Sequence, residues 1–202
     1  MNILSFETSH AEASVALLSD SGMFESRIIS NKKHEETVMP AVNSLLEAND
    51  INPCDLDLVA VDIGPGSFTG IRIGICHANA IADVAQIPCI GICSLDAIAH
   101  ICFKGCTIGI SIDAGNDNCY CAIYNSEFER IYGPVSETYP EFQKHVLDHH
   151  CLTIIDKDSL SFPTASTIAQ LAYKYISKND NGLLRASPLY LRPSQAERKH
   201  NT

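Results

Sequence analysis

No apolar run in this sequence approaches the ~20 residues that a membrane-spanning helix needs. No membrane-spanning helix is expected within it. The opening residues, MNILSFETSH, lack the basic stretch of a secretory signal and read as a first strand. The expectation is a cytoplasmic chain that starts at Met1. Basic charge is scarce: 14 Lys and Arg stand against 24 Asp and Glu, a formal net charge of −10. A protein that grips nucleic acid unaided carries a basic face, and this chain offers only Arg192, Arg198, Lys199 and His200, which read as a solvated tail. There is no C-x-x-C. The nine cysteines are an odd number without an export signal, so a disulfide framework is not expected. The closest pairs, Cys119/Cys121, Cys89/Cys93 and Cys102/Cys106, mostly sit among Ile, Val and Ala as small hydrophobes. His100 lies near Cys102 and Cys106 without completing a tetrahedral zinc set, and no metal ligand is assigned.

The chain has the means to fold. Hydrophobic residues make up 46% and charged residues 19%, a balance that buries a core. Segments 2–6, 13–18 and 23–30 read as three strands, with Ser19-Asp20-Ser21-Gly22 as a tight turn. A helix opens over 31–36 and carries Val38, Val42, Leu45 and Leu46 on one face. Pro40 predicts a kink or a late start there. A strand at 58–63, a helix at 68–84, a strand at 88–92 and a helix from Ser94 to about Cys102 complete βββαβαβα. The pattern then restarts: strands at 107–112, 119–124 and 129–135, a turn over 113–118, a helix at 140–147, a strand at 151–155 and a helix at 165–176. Two halves of similar order imply duplication, with lobes at 1–103 and 104–202 and the C-terminal tail packing back on a sheet.

The most informative stretch is 58–84, LVAVDIGPGSFTGIRIGICHANAIADV. Strand, glycine turn and helix is how backbone N–H groups are aimed at an anion. Yet no lysine occurs between Leu58 and Val84, which excludes a Walker A loop. Gly64, Gly66 and Gly70 are one residue too long for the dinucleotide fingerprint. Two readings stand: a turn capped by Ser67, or an anion site. Gly70, Gly74, Ala78 and Ala82 recur every four residues and put small side chains on one stripe. Two helical glycines cost roughly 2 kcal/mol relative to alanine, so something must come close. Again two readings stand: the molecule's own sheet or helices, or a partner's helix.

The segment Gly64-Pro65-Gly66-Ser67-Phe68-Thr69-Gly70-Ile71-Arg72-Ile73-Gly74 resembles the hallmark of the TsaB (YeaZ) family. Weaker matches follow in order: Ile3 to Ser9, His34 with Met39-Pro40, Ser94-Leu95, Ile112-Asp113-Ala114 with Tyr120, and Tyr190-Leu191-Arg192. The resemblance implies an α/β, two-lobed actin-like ATPase (ribonuclease H-like) fold of duplicated βββαβα units. Glu7 stands where the superfamily has Asp, Gly115 and Asn118 where the hairpin often has Arg and Glu, and 155–164 is short, so the second lobe is expected to be reduced.

The resemblance further implies a noncatalytic subunit that binds and activates TsaD for threonylcarbamoylation of adenosine 37 in tRNA, alongside the ATPase subunit TsaE. It would be a homodimer when alone, and tRNA would be met only through the complex. The implied interface is the first helix (Val38, Val42, Leu45) and the long helix (Gly70, Gly74, His77, Ala78, Ala82). A nucleotide or anion at the junction would meet Gly64, Gly66, Ser67, Thr69 and Arg72. No cofactor is required by this chain, with ATP and magnesium assigned to the complex. The sister family TsaD holds metal with histidines at i and i+4 on its first helix. Here His34 is followed by Val38, and the pair is absent. His77 reads as a packing or interface residue, and His149-His150 as solvated. Glu7 and Asp113, at the ends of the two first strands, keep open a second reading as an independent ATP-dependent phosphotransferase.

Overall fold

The computed structural model describes residues 1–10, 12–28, 34–156, 159, 162–176 and 184–192, with the backbone alone at 34 and 35. The readings placed on 29–33, on the side chain of His34, and on Arg198, Lys199 and His200 lie outside the described residues. Among the described residues, nine strands and five α-helices follow the expected order: β1 (Ile3–Glu7), β2 (Ala13–Ser19), β3 (Gly22–Ile28), α1 (His34–Glu47), β4 (Leu58–Asp62), α2 (Phe68–Ala85), β5 (Cys89–Ile92), α3 (Ser94–Cys102), β6 (Ile108–Gly115), β7 (Asn118–Tyr124), β8 (Arg130–Thr138), α4 (Tyr139–Asp148), β9 (Thr153–Ile155) and α5 (Ala165–Ile176).

The chain divides into two compact units, and neither is continuous in sequence. The first takes 1–97 and 163–188, the second 98–162 and 189–202. A single cut at 103/104 gives α5 to the second lobe, but α5 packs on β1, β2 and β4 of the first.

In the first unit the sheet runs β3-β2-β1-β4-β5, with β1 antiparallel to β2 and parallel to β4. Strand residues alternate between faces. Leu4, Phe6, Val15, Leu17, Val59 and Val61 form one core with Val38, Val42, Leu45 and Leu46 of α1 and Ile71, Ile75, Ala78 and Ala82 of α2. The opposite face receives α5. Its first residue is held at both ends: Ser5 Oγ donates to the Ala165 carbonyl at 2.7 Å, and Ser14 Oγ accepts from the Ala165 N–H at 2.9 Å. Beyond α5, the chain returns to the sheet edge, where the Leu184 carbonyl accepts from the Cys89 N–H and Ala186 enters the core. Helix α1 runs through Pro40 rather than starting after it. Pro40 is exposed while Val38 and Val42 on either side are buried, so core packing holds the helix across the missing donor.

The second unit repeats the arrangement in smaller form, β8-β7-β6-β9. Helix α4 lays Phe142 and Val146 against Cys119, Cys121 and Ile123. The turn over 113–118 is tighter than its composition suggests. Asn116 and Asp117 both adopt positive φ, 54° and 57°, and Gly115 pairs directly with Asn118. Such a two-residue hairpin turn matches the strand twist and favours Asn and Asp. Arg192 Nη1 donates to the Ala114 carbonyl of β6, tying the Tyr190-Leu191-Arg192 segment to this sheet.

Candidate functional site

The site is built where β1 and β4 end side by side. These strands pair in parallel at a constant offset, Ile3 with Leu58 through Phe6 with Val61. One further step puts Glu7 beside Asp62. Both are fully buried, 0% exposed. Asp62 is held by three donors: the Gly64 N–H and Ser94 Oγ each reach Oδ1 at 2.7 Å, and Ser9 Oγ reaches Oδ2 at 3.0 Å. Ser9 Oγ also lies 2.8 Å from both Glu7 Oε1 and His10 Nδ1. His10 Nδ1 is 3.1 Å from Glu7 Oε1. Three groups able to bind a cation or share protons therefore meet: Glu7, His10 and Asp62 lie with one ligand atom each within 4.8 Å of the others.

Burial and the neighbouring Glu7 push the Asp62 carboxyl up to about 6. Burial disfavours a charged His10, but the hydrogen bond and charge of Glu7 outweigh it and raise that pKa as well. Both groups hold protons more tightly folded than unfolded, so their contribution to stability is largest in acid. It falls as pH rises from the ordinary carboxylate value of 3.8 through about 6, and again as His10 deprotonates above 6.5. In metal-free buffer, the loss of this contribution is expected to lower the urea midpoint between about pH 4 and pH 7.5. Asp62→Asn should remove on the order of 2–3 kcal/mol of that dependence. Equal pH slopes for the two proteins would refute the assignment.

The glycine turn and α2 wrap the other side of 8–10. Ser67 caps α2, its Oγ accepting from the Gly70 N–H at 3.3 Å. The Ser67 N–H donates to the Ser9 carbonyl at 2.8 Å, and Thr8 Oγ1 donates to the Gly70 carbonyl at 2.7 Å. A Cβ on Gly66 would stand 2.6 Å from the Ser9 carbonyl oxygen, one on Gly70 1.9 Å from that of Thr8, and one on Gly74 2.4 Å from Thr8 Oγ1. The glycines admit the chain's own first turn.

One reading is corrected by this geometry, and a second is narrowed. Gly70, Gly74, Ala78 and Ala82 do not face outward, and neither do Val38, Val42 and Leu45; all are buried within the first unit. A helix can show the sheet only one stripe, and this is the stripe it shows. The anion reading of Gly64, Gly66, Ser67, Thr69 and Arg72 finds part of its donor set already in use. The N–H groups of Gly64, Ser67 and Gly70 are engaged inside the chain, and two carboxyl groups lie behind the turn. Thr69 and Arg72 are exposed. His77 is half-buried, and its Nδ1 is enclosed without a hydrogen-bond partner.

The outer face of α2 carries the row Arg72, Cys76, Ala80 and Val84, all exposed, with Val84 83% exposed. His10 and Asp62 were not singled out from the sequence. The available signal was the Glu7-x-x-His10 spacing after one buried strand and an acid ending another.

Residues 26–173 match the family model described as TsaD, tRNA N6-adenosine threonylcarbamoyltransferase. The chain is 42% identical over 89 residues to the tRNA threonylcarbamoyladenosine biosynthesis protein TsaB of Bacillus subtilis, covering 44% of this chain and 39% of that protein. It is 34% identical over 90 residues to TsaB of Escherichia coli, covering 45% and 39%. A tRNA N6-adenosine threonylcarbamoyltransferase of Chlorobium limicola is 34% identical over 104 residues, covering 44% and 29%. The chain thus spans at most 39% of the length of these relatives. Among solved structures, YeaZ from Pseudomonas aeruginosa superposes with a TM-score of 0.74 at 21% identity, covering 94% of this chain and 99% of that one. An uncharacterized protein with similarity to peptidase YEAZ from Pseudomonas aeruginosa gives 0.78 at 22%, covering 95% and 99%. These likenesses show that the chain shares the α/β fold of YeaZ.

Proposed function

The chain belongs to the TsaD family, on its TsaB (YeaZ) side, and from that premise we propose that it is a noncatalytic subunit in the formation of threonylcarbamoyladenosine at position 37 of tRNA. In this reading it binds and activates a TsaD protein, works beside the ATPase subunit TsaE in the cytoplasm, and meets tRNA only through that assembly. ATP and magnesium belong to the complex. Alone, it pairs with a second copy.

The observation that carries the reading is the outer row of α2. Cys76, Ala80 and Val84 form an exposed, uncharged strip on a well-anchored helix, with Arg72 at one end. Small side chains there let a second helix approach closely, and Val84 adds an exposed apolar contact. The docking surface moves from the buried stripe to this one, a rotation about the same helix. The engagement of the Gly64, Ser67 and Gly70 N–H groups inside the chain supports a non-nucleotide role for this end of the chain.

Ala80→Arg tests the reading, because position 80 is exposed and a good helix former there leaves the fold intact. The variant is expected to keep the wild-type urea midpoint, to lose co-purification with TsaD, and to lose modification in the reconstituted mixture. Undiminished binding would sink the docking assignment. An independent ATP-dependent phosphotransferase is the competing reading. It predicts tight MgATP binding and acceptor-dependent turnover by the isolated chain, whereas the subunit reading predicts neither.

A further inference from the structure

We propose that Glu7, His10 and Asp62 form a binding site for a divalent first-row transition cation, distinct from any role of α2 in docking. Two carboxylates and an imidazole are a mixed oxygen and nitrogen set suited to Mn²⁺, Fe²⁺ or Zn²⁺. One ligand atom from each lies within 4.8 Å of the other two. Neither carboxyl group is exposed, and the His10 side chain is only 12% exposed.

The second observation is independent of the clustering. Glu7 Oε1 is used by Ser9 and His10, but Oε2 is buried and has no hydrogen-bond partner. A buried carboxylate oxygen without a partner is costly, and a cation is the ligand that satisfies such an oxygen. The supporting shell is already built. The Gly64 N–H and Ser94 Oγ fix Asp62 Oδ1, and Ser9 Oγ bridges all three side chains. Such outer partners orient metal ligands and tune affinity. Bound metal would draw the three atoms inward to coordinate at about 2.0–2.2 Å, tightening the joined ends of β1 and β4.

Mn²⁺ alone is the probe, because the nine thiols of this chain favour softer ions. The full chain, stripped with EDTA and exchanged into buffer at pH 7.5, is titrated with Mn²⁺ and followed by electron paramagnetic resonance. The expected result is one bound Mn²⁺ per chain with a hyperfine signature from an imidazole nitrogen. His10→Gln should abolish that signature and weaken binding at least tenfold. Glu7→Gln should weaken it similarly, and His10→Gln keeps the test valid if the buried Glu7 variant fails to fold. Asp113→Asn with Asp117→Asn, in the exposed hairpin of the second unit, should leave binding unchanged. No bound Mn²⁺ at millimolar concentration, absence of the nitrogen signature, or equal binding by His10→Gln would overturn the proposal and leave the cluster as a proton-sharing network.

Discussion

A chain ended after Phe103 is expected to show no cooperative unfolding transition. The sequence pattern restarts there, but the first sheet is covered on one face by α5, which begins only at Ala165, and residues 163–188 belong to the same compact unit. Truncation would uncover Ile3, Leu58, Ala16 and Ala60, each 0% exposed and on the α5 face by strand alternation, while removing Ile168 and Leu171. Burial of each large aliphatic side chain contributes about 1.5–3 kcal/mol. Ile3, Leu58, Ile168 and Leu171 together therefore contribute about 6–12 kcal/mol, comparable to the roughly 5–15 kcal/mol typical of a whole domain. Ser5 and Ser14 would also lose their bonds to Ala165. Far-UV circular dichroism with a urea titration decides the matter. A sigmoidal transition in 1–103 would restore the simple boundary.

Gly70→Ala is expected to destabilise the isolated chain by roughly 2–4 kcal/mol, against the usual gain of about 1 kcal/mol for this change in a helix. The added methyl would meet the Thr8 carbonyl oxygen at 1.9 Å and its carbonyl carbon at 3.0 Å. That backbone cannot withdraw easily, since Thr8 Oγ1 is bonded to the Gly70 carbonyl and the Ser9 carbonyl to the Ser67 N–H. Gly74→Ala meets a different obstacle, Thr8 Oγ1 at 2.4 Å. The two variants should therefore respond differently to a second change. Thr8→Ala deletes the hydroxyl and should relieve Gly74→Ala, but it leaves the carbonyl that opposes Gly70→Ala. Urea midpoints for the singles and doubles give the coupling energies. A Gly70→Ala protein as stable as wild type would return the stripe to the surface as a docking feature. By the same packing, a bulky residue at Gly74 acts on the fold before it acts on any partner.

The order of strands and helices was legible because each is encoded locally, in the alternation of 13–19 or the threefold and fourfold spacing of Val38, Val42 and Leu45. The Gly70/Gly74/Ala78/Ala82 stripe was legible as a place of close approach. What approached it was not, because periodicity identifies a face and never its occupant. The Glu7, His10 and Asp62 cluster depends on the register of β1 against β4, an offset of 55 residues that no local pattern carries. The membership of α5 rests on contacts such as Ser5 to Ala165, 160 residues apart. Pro40 was read from its intrinsic cost alone, whereas burial of its neighbours decided the outcome.

The late return of α5 also sets a timetable for synthesis. Residues up to 97 leave the ribosome as a sheet with one bare apolar face, and the covering helix is complete only at Ile176. At ordinary translation rates of about 5–20 residues per second, those intervening residues take roughly 4–16 s. All four strands and the helix of the second sheet are contiguous within 108–155 and can close during that wait. The first sheet therefore waits for its cover until after the second sheet has all its strands, and for those seconds its bare face is the kind of transiently exposed apolar surface that chaperones handle.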